Sequence, residues 1–261
     1  YKTSKELVKT PHSIVAQIQI RLQLMAVDCL RTQRPSTKSL LLCSDARELD
    51  VVPSFHADGV ITSPPYLNGT NYIRNTKLEL WFSRFLRSAK DLRGFRDAVV
   101  TSGINDVAGK LPIASVAPSV DAVVAELTKE AYDQRIPRMV AAYFADMAKV
   151  LRGLHRQTTR DATFCIDIGD SRYGGVHVPT HTLLCDVATT LGFSVVETVK
   201  LRSRVSKDQS RLTQELLVLK KTQVTARVRR AAPGWPERWE RFKAELPHQR
   251  APFTKRNWGS G

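Results

Sequence analysis

Apolar residues recur at helical spacing from Ser13 to Leu30. Ile14, Val15, Ile18, Ile20, Leu22, Leu24 and Met25 run without an intervening Gly or Pro, and the pattern predicts an amphipathic helix. Arg31–Lys38 reads as a polar loop. Two short apolar runs follow, Ser39–Cys43 and Gly59–Thr62, and both predict strands. The first ends in Ser44-Asp45-Ala46, the second in Ser63-Pro64-Pro65-Tyr66. Short apolar strands that end in polar loops belong to a parallel sheet whose site lies at the carboxyl ends of the strands. Asn75–Leu92 predicts a helix with Leu78, Trp81, Phe82 and Phe85 on one face, which puts Trp81 in the core. Gly94–Pro118 reads as irregular. Asp121–Leu154 is strongly helical, with a break expected at Pro137. Ala162–Ile168 is a third apolar strand closing on Gly169-Asp170-Ser171. Thr180–Leu191 predicts a helix stopped by Gly192. Val195–Leu201 and Leu212–Lys220 predict an antiparallel hairpin around a basic loop. The order is helix, strand, strand, helical stretch, strand, helix, strand, strand. That is α/β, a doubly wound sheet with an antiparallel last strand over residues 1–222, followed by a basic extension over 223–261.

Charge changes this picture. The 261 residues carry 40 Lys and Arg against 25 Asp and Glu, a net of +15. The excess is uneven: residues 200–261 hold 16 basic and 5 acidic residues, and residues 1–199 hold 24 and 20. A basic surface of this kind points to a polyanion. Trp235, Trp239, Phe242, Phe253 and Trp258 interleave with the C-terminal cations, as on surfaces where bases stack. The four cysteines form no CxxC and read as buried free thiols of a reducing cytosol. His177 and His181 stand four apart, but Pro179 between them argues against a helical metal face. No metal site, secretory signal or membrane span is read, so a cytoplasmic location is expected. The chain opens on Tyr1 rather than Met, as a fragment or a processed chain would.

The segment with the most chemical content is Thr62-Ser63-Pro64-Pro65-Tyr66. Two prolines remove backbone donors and leave carbonyl acceptors on a rigid loop, and the Ser63 hydroxyl adds another acceptor. Such a loop beside an aromatic ring suits a flat ligand that presents an NH2 group. The exocyclic amine of cytosine or adenine is one. Its lone pair is delocalised into the ring. Hydrogen bonds from both amine protons to fixed acceptors localise the pair and aim it at an electrophile, while Tyr66 stacks on a base that has left the duplex.

With those residues the chain resembles the DNA amino-methyltransferases, whose catalytic loop reads [DNS]-P-P-[YFW] at the end of an apolar strand. The resemblance implies a Rossmann-like methyltransferase sheet, S-adenosylmethionine as methyl donor, double-stranded DNA as partner and base flipping. It further implies a prokaryotic, nucleoid-associated protein of a restriction–modification, defence or regulatory setting. The Ser form of the loop tilts the target towards cytosine N4 over adenine N6. Ser63, Pro64, Pro65 and Tyr66 are then the catalytic residues. Leu40–Arg47 resembles the strand before the catalytic one, which puts Asp45 and Ala46, with Thr62, near the donor. Ile166–Arg172 resembles the next strand, whose end lines the base pocket with Asp170 and Ser171. For those two a turn or helix-cap role is an equal alternative. Asn71 and Tyr72 are further pocket candidates. Leu216–Lys221 resembles the closing strand. Lys200, Arg202, Arg204, Lys207 and Arg211 sit where they would clamp phosphates, and Arg229 and Arg230 extend that basic surface.

One departure bears on completeness. The family's donor loop is a strand followed by a Phe-x-Gly-x-Gly-like turn, in which close backbone approach demands Gly. Here only Gly259 and Gly261 make a G-x-G, with no strand before them, and Gly174-Gly175 is not that motif. Arg256–Gly261 resembles a lead-in to the missing segment. The expectation is a chain that carries the catalytic and target-recognition half, with the donor-binding half on a second polypeptide or a missing segment. Two other readings stay open. One is a DNA-binding subunit with this fold and no chemistry. The other keeps the chemistry on RNA or on a protein glutamine.

Overall fold

The computed structural model describes residues 13–31, 39–53, 55–67, 72–107, 113–205 and 209–222. Asn71, Lys207, Arg229, Arg230 and the whole 223–261 extension lie outside the described residues, as do residues 32–38 of the polar loop. The chain divides into two units, Tyr1–Leu41 and Leu42–Gly261. In the first, the expected amphipathic helix forms as α1, Ile14–Arg31, with none of its residues buried.

The second unit holds a four-stranded sheet. Its strands are β1 (Ala57–Thr62), β2 (Thr158–Gly169), β5 (Phe193–Val205) and β6 (Arg211–Lys221), in the order β1-β2-β6-β5. β1 pairs with β2 in parallel, and β6 inserts antiparallel between β2 and β5. This is the expected α/β sheet with an antiparallel last strand. The topology brings the carboxyl ends of β1, β2 and β5 to the same side of the sheet as the start of β6.

The core explains why these segments fold where they do. Helix α6, Arg135–Arg156, buries Ile136, Met139, Val140, Tyr143, Phe144, Met147 and Leu151, a single stripe at helical spacing. That stripe shares one cluster with Phe164, Ile166 and Ile168 of β2 and Leu217 and Leu219 of β6. Helix α7, Thr180–Thr190, adds Leu183, Leu184 and Val187, and ends before Gly192 at φ 86°. Gly153 has a different reason for being glycine inside α6. A Cβ there would lie 2.5 Å from Leu49 Cβ and 3.0 Å from the Asp50 nitrogen, so the loop before β1 can approach only this residue. Gln157, at the end of α6, ties the same loop down. Its Nε2 donates to the carbonyls of Leu49 (2.7 Å) and Val52 (3.1 Å), and its Oε1 accepts from the Phe55 N–H (2.8 Å).

Several expectations are corrected. Residues 39–43 form no strand. A strand is held by a neighbour's hydrogen bonds, and no described strand pairs with this run; Asp45 after it instead caps a 3₁₀ turn, Ala46–Glu48. The helix expected over 75–92 is three short pieces, α2 (Tyr72–Asn75), α3 (Lys77–Phe82) and α4 (Asp91–Asp97). Arg84 at φ 62° turns the chain out of α3, and the Asp91 carboxylate takes the Arg87 and Ser88 N–H groups ahead of α4. The apolar face of that segment is exposed: Trp81 is 63% accessible and Phe82 84%. The long helical stretch breaks at residues 131–134, between α5 (Pro118–Glu130) and α6, and not at Pro137. Pro137 stands in the first turn of α6, where an N–H has no intrahelical partner to lose. Cys29 is exposed and Cys43, Cys165 and Cys185 are half-buried; all four are free thiols. A small hairpin, β3 (Ser171–Tyr173) and β4 (Val176–Val178), turns through Gly174 and Gly175, both at positive φ. No described helix is long and apolar enough to cross a membrane.

Candidate active site

Thr62 ends β1, and the chain enters Ser63-Pro64-Pro65-Tyr66 directly. Ser63 is exposed and the two prolines are half-buried. Tyr66 is half-buried as well, rather than freely exposed, and packs against the main core. Its ring lies on Gly169 at the end of β2: a Cβ there would sit 3.5 Å from Tyr66 Cδ2 and Cε2. Two groups fix Tyr66 by hydrogen bonds. Its N–H donates to the Tyr72 hydroxyl at 3.2 Å. Its own hydroxyl accepts from Gln214 Nε2 at 2.6 Å, and the same Nε2 meets the Asp167 carboxylate at 2.6 and 2.7 Å. Arg202 Nε donates to Gln214 Oε1, completing a chain of bonds from β5 through β6 to the loop. Burial first, and then the Asp167 carboxylate, raise the Tyr66 phenol above its ordinary value of 10.0, while the Ser63 hydroxyl works the other way. Tyr66 is therefore a neutral aromatic face at physiological pH and no base. Beneath it, on α6, Tyr143 is fully buried with no hydrogen-bond partner for its hydroxyl among the described residues. Burial raises that phenol, with Tyr72 and Tyr66 close enough to add to the effect.

Of the other predicted residues, Tyr72 reaches the loop through its hydroxyl, and Asp45 does not present a free carboxylate. Arg47 grips Asp45 through Nε and Nη2, the latter at 2.6 Å, and the Arg47 N–H donates to Asp45 Oδ1 at 2.9 Å. Arg47 Nη1 continues to the Val99 carbonyl (3.1 Å) and to Asp146 (3.4 Å), which also takes the Thr101 N–H and hydroxyl. The Arg47 side-chain bonds hold Asp45 below the usual carboxylate range against the opposing effect of burial. Ala46 is exposed in the turn that follows. Lys200, Arg202 and Arg204 are not in a loop: they belong to β5, because β6 continues the ladder as far as Val205↔Arg211.

Asp170 and Ser171 are both buried, so neither side chain lies open to a base. The Asp170 carboxylate accepts from His181 Nδ1 (2.7 Å), His177 Nε2 (3.1 Å) and Thr213 Oγ1 (3.2 Å). Its backbone N–H donates to the Thr213 carbonyl at 2.9 Å, and its carbonyl accepts from Arg204 Nη2 at 2.7 Å. Burial works against the charged form of Asp170, but the bonds and charges of His181 and His177 outweigh it and hold the carboxyl below 3.8. His181 is raised above 6.5, first by its bond to Asp170 and against its own burial. The consequence for stability has two limbs. Asp170 stabilises the fold above its ordinary value, and that contribution is lost as pH falls through the depressed folded value. His181 stabilises it below 6.5, and that contribution is lost as pH rises through the raised folded value. In a thermal series, His181→Gln is expected to abolish the decline at rising pH and to weaken the acid limb, because His181 is the first of the groups that depress Asp170. A wild-type profile unchanged by the substitution would contradict this assignment.

No sequence motif marks Gln214, Thr213, Asp167 or the two histidines as members of one site. Only strand register brings β6 to this end of the sheet.

No family model matches the chain. It is similar to the Type II methyltransferase M.AvaI of Nostoc sp. strain PCC 7120 and to that of Anabaena variabilis, at 26% identity over 183 residues in each case. Those residues cover 64% of this chain and 37% of each relative, so the chain spans little more than a third of the length of the relatives it matches.

Proposed function

We propose that this chain is the catalytic and target-recognition half of a DNA amino-methyltransferase, transferring a methyl group from S-adenosylmethionine to the exocyclic amine of a flipped base, cytosine N4 in preference to adenine N6. The observation that carries the reading is the Ser63–Tyr66 loop at the carboxyl end of β1, with Tyr66 fixed by Gln214 and Tyr72 where the ends of four strands converge. The similarity to Type II methyltransferases supports the same chemistry.

The acceptor half follows from this chain's own residues. Tyr66, neutral and anchored, offers a face for the base. The Ser63 hydroxyl and the Pro64 carbonyl accept the two amine protons, which draws the nitrogen lone pair out of the ring. Pro65 keeps the loop from relaxing. The amine nitrogen would then bond the methyl carbon as the methyl–sulfur bond breaks and the thioether product leaves, one amine proton would pass to solvent, and no enzyme-linked intermediate is needed. Lys200 and Arg211, with Lys207, Arg229 and Arg230 outside the described residues, are the proposed phosphate contacts on duplex DNA. Arg202 contributes through Gln214 instead.

The donor half does not follow in the same way. Asp45, Ala46 and Thr62 form no cradle by themselves, since Arg47 occupies the Asp45 carboxylate and no glycine turn adjoins β1 among the described residues. S-adenosylmethionine supplies the electrophilic methyl group when bound, and we assign its cradle to a second polypeptide or a further segment carrying the glycine-rich loop. The free edge of β1 supports that assignment. Among the described residues β1 pairs with β2 alone, Ile61 on it is 90% exposed, and Trp81 and Phe82 of α3 add exposed apolar surface in the same unit. A parallel strand is ordinarily covered and flanked, and an open edge invites another strand. The closed Asp45 carboxylate favours a second reading as well, a DNA-binding subunit without chemistry.

Nucleoside analysis of DNA methylated by the completed enzyme tests the target. N4-methylcytosine is the expected product. N6-methyladenine alone would reverse the base assignment, and methylated RNA or glutamine with unmodified DNA would reject the DNA substrate.

A further inference from the structure

The Asp170 cluster has more structure than a turn requires. It gathers His177 from β4, His181 from the first turn of α7 and Thr213 from β6 around one carboxylate that is 4% exposed, with Arg204 from β5 on the Asp170 backbone carbonyl. An ionised carboxylate only accepts hydrogen bonds, so the ring nitrogens that face it, His181 Nδ1 and His177 Nε2, both carry hydrogen. Asp170 Oδ1 is taken by His181, and Oδ2 by His177 and Thr213, which leaves the carboxylate little room for a further donor. The opposite nitrogens, His181 Nε2 and His177 Nδ1, point away from it on side chains that are 22% and 43% exposed. Next in the chain, the Ser171 hydroxyl is buried with no partner among the described residues. The cluster is therefore a buried anion presenting imidazoles outward, with a guanidinium alongside. Gly169, the residue before Asp170, packs on the Tyr66 ring, so the cluster begins one residue from the proposed base site.

We propose that His177, His181 and Arg204 form a phosphodiester-binding site, held in shape by Asp170, for the nucleic-acid strand whose base enters beside Tyr66. The choice of nucleic acid as ligand rests on the function proposed above; the anion site itself rests on the cluster. A protonated His181 beside the ionised Asp170 carries a second N–H donor on its far nitrogen, and phosphate oxygens can take that donor together with an arginine fork. The charged groups facing His181 are Asp170 at the end of β2 and Glu215 on β6, with His177 across the carboxylate on β4 and Arg204 of β5 on the Asp170 carbonyl. Both acids favour the protonated ring, so binding strengthens as pH falls through the His181 titration.

The test uses the whole 261-residue chain. Fluorescence anisotropy with a labelled DNA duplex, at fixed salt between about pH 6 and pH 8, reads affinity across the range where imidazole changes charge. The wild type is expected to lose affinity several-fold as pH rises. His181→Gln should flatten that dependence, and at low pH reduce the salt slope by about one phosphate contact. His177→Gln, on a more exposed ring, is the second variant should the first fold poorly, and it too should weaken binding. Histidine NMR with inorganic phosphate is the independent arm: the His181 ring should titrate at higher pH as phosphate is added. DNA binding with the same pH profile in wild type and both variants would overturn the site. A chain that binds no duplex, yet whose His181 responds to phosphate, would keep the anion site and reject DNA as its ligand. No response to phosphate and no variant effect would reject the proposal outright.

Discussion

Replacing Ser63 by Ala, or Tyr66 by Ala, is expected to abolish methyl transfer by the completed enzyme while leaving duplex binding largely intact. Ser63→Ala deletes one of the two acceptors that localise the amine lone pair. Preorganised polar groups of this kind are worth about 10²–10³-fold in turnover when a single one is removed. Tyr66→Ala removes the stacking face and also releases Gln214, whose Nε2 then keeps only Asp167. Neither residue belongs to the basic strand β5, so the proposed phosphate contacts remain. Initial rates of labelled-methyl incorporation beside anisotropy titrations separate the two effects. Full activity in either variant would remove the loop from the chemistry.

Phe164→Ala should have the largest effect on stability. Phe164 is fully buried on β2, a strand paired on both sides, and its ring meets Phe193 edge-on with centroids 4.9 Å apart. Deleting a buried aromatic ring costs about 3–5 kcal/mol, a large part of the roughly 5–15 kcal/mol that holds a typical domain folded. For a chain of this size that corresponds to a fall of roughly 6–20 °C in Tm. Calorimetry or a circular-dichroism melt reads it directly. A fall of only a degree or two would mean that the site repacks, against the close fit of Phe164, Phe193 and Ile166.

Much of this architecture is legible in the residues. The apolar runs at 59–62, 162–168 and 212–220 lie in β1, β2 and β6, because each run is short, apolar and bounded by polar turns. Helix α7 ends before Gly192, where the backbone needs positive φ. The misreadings have physical causes. Leu78, Trp81, Phe82 and Phe85 do recur at helical spacing, but periodicity reports that a face exists and not that this chain covers it. Ser39–Cys43 is as apolar as the true strands and lacks a described partner. Pro137 breaks a helix only beyond its first turn. The histidines stand four residues apart, a spacing that raises the question of a metal pair; their actual tie is to Asp170, seven and eleven residues away, across a hairpin that Gly174 and Gly175 make possible. In the candidate site, the Ser63–Tyr66 loop is legible as a motif in the residues, whereas Gln214 and Thr213 join it only because β6 runs antiparallel beside β2.

The central proposal is that this chain supplies the acceptor chemistry and that a further segment or a second polypeptide supplies the donor cradle. Its most direct test mixes three things: the purified chain, a polypeptide with the glycine-rich strand–turn–helix encoded beside it, and duplex DNA with labelled S-adenosylmethionine. Label is expected in the DNA only when both polypeptides are present, and Ser63→Ala should erase it. Equal labelling by the chain alone would contradict the split, and a mixture that binds donor and DNA yet transfers no methyl group would leave a binding module in place of an enzyme.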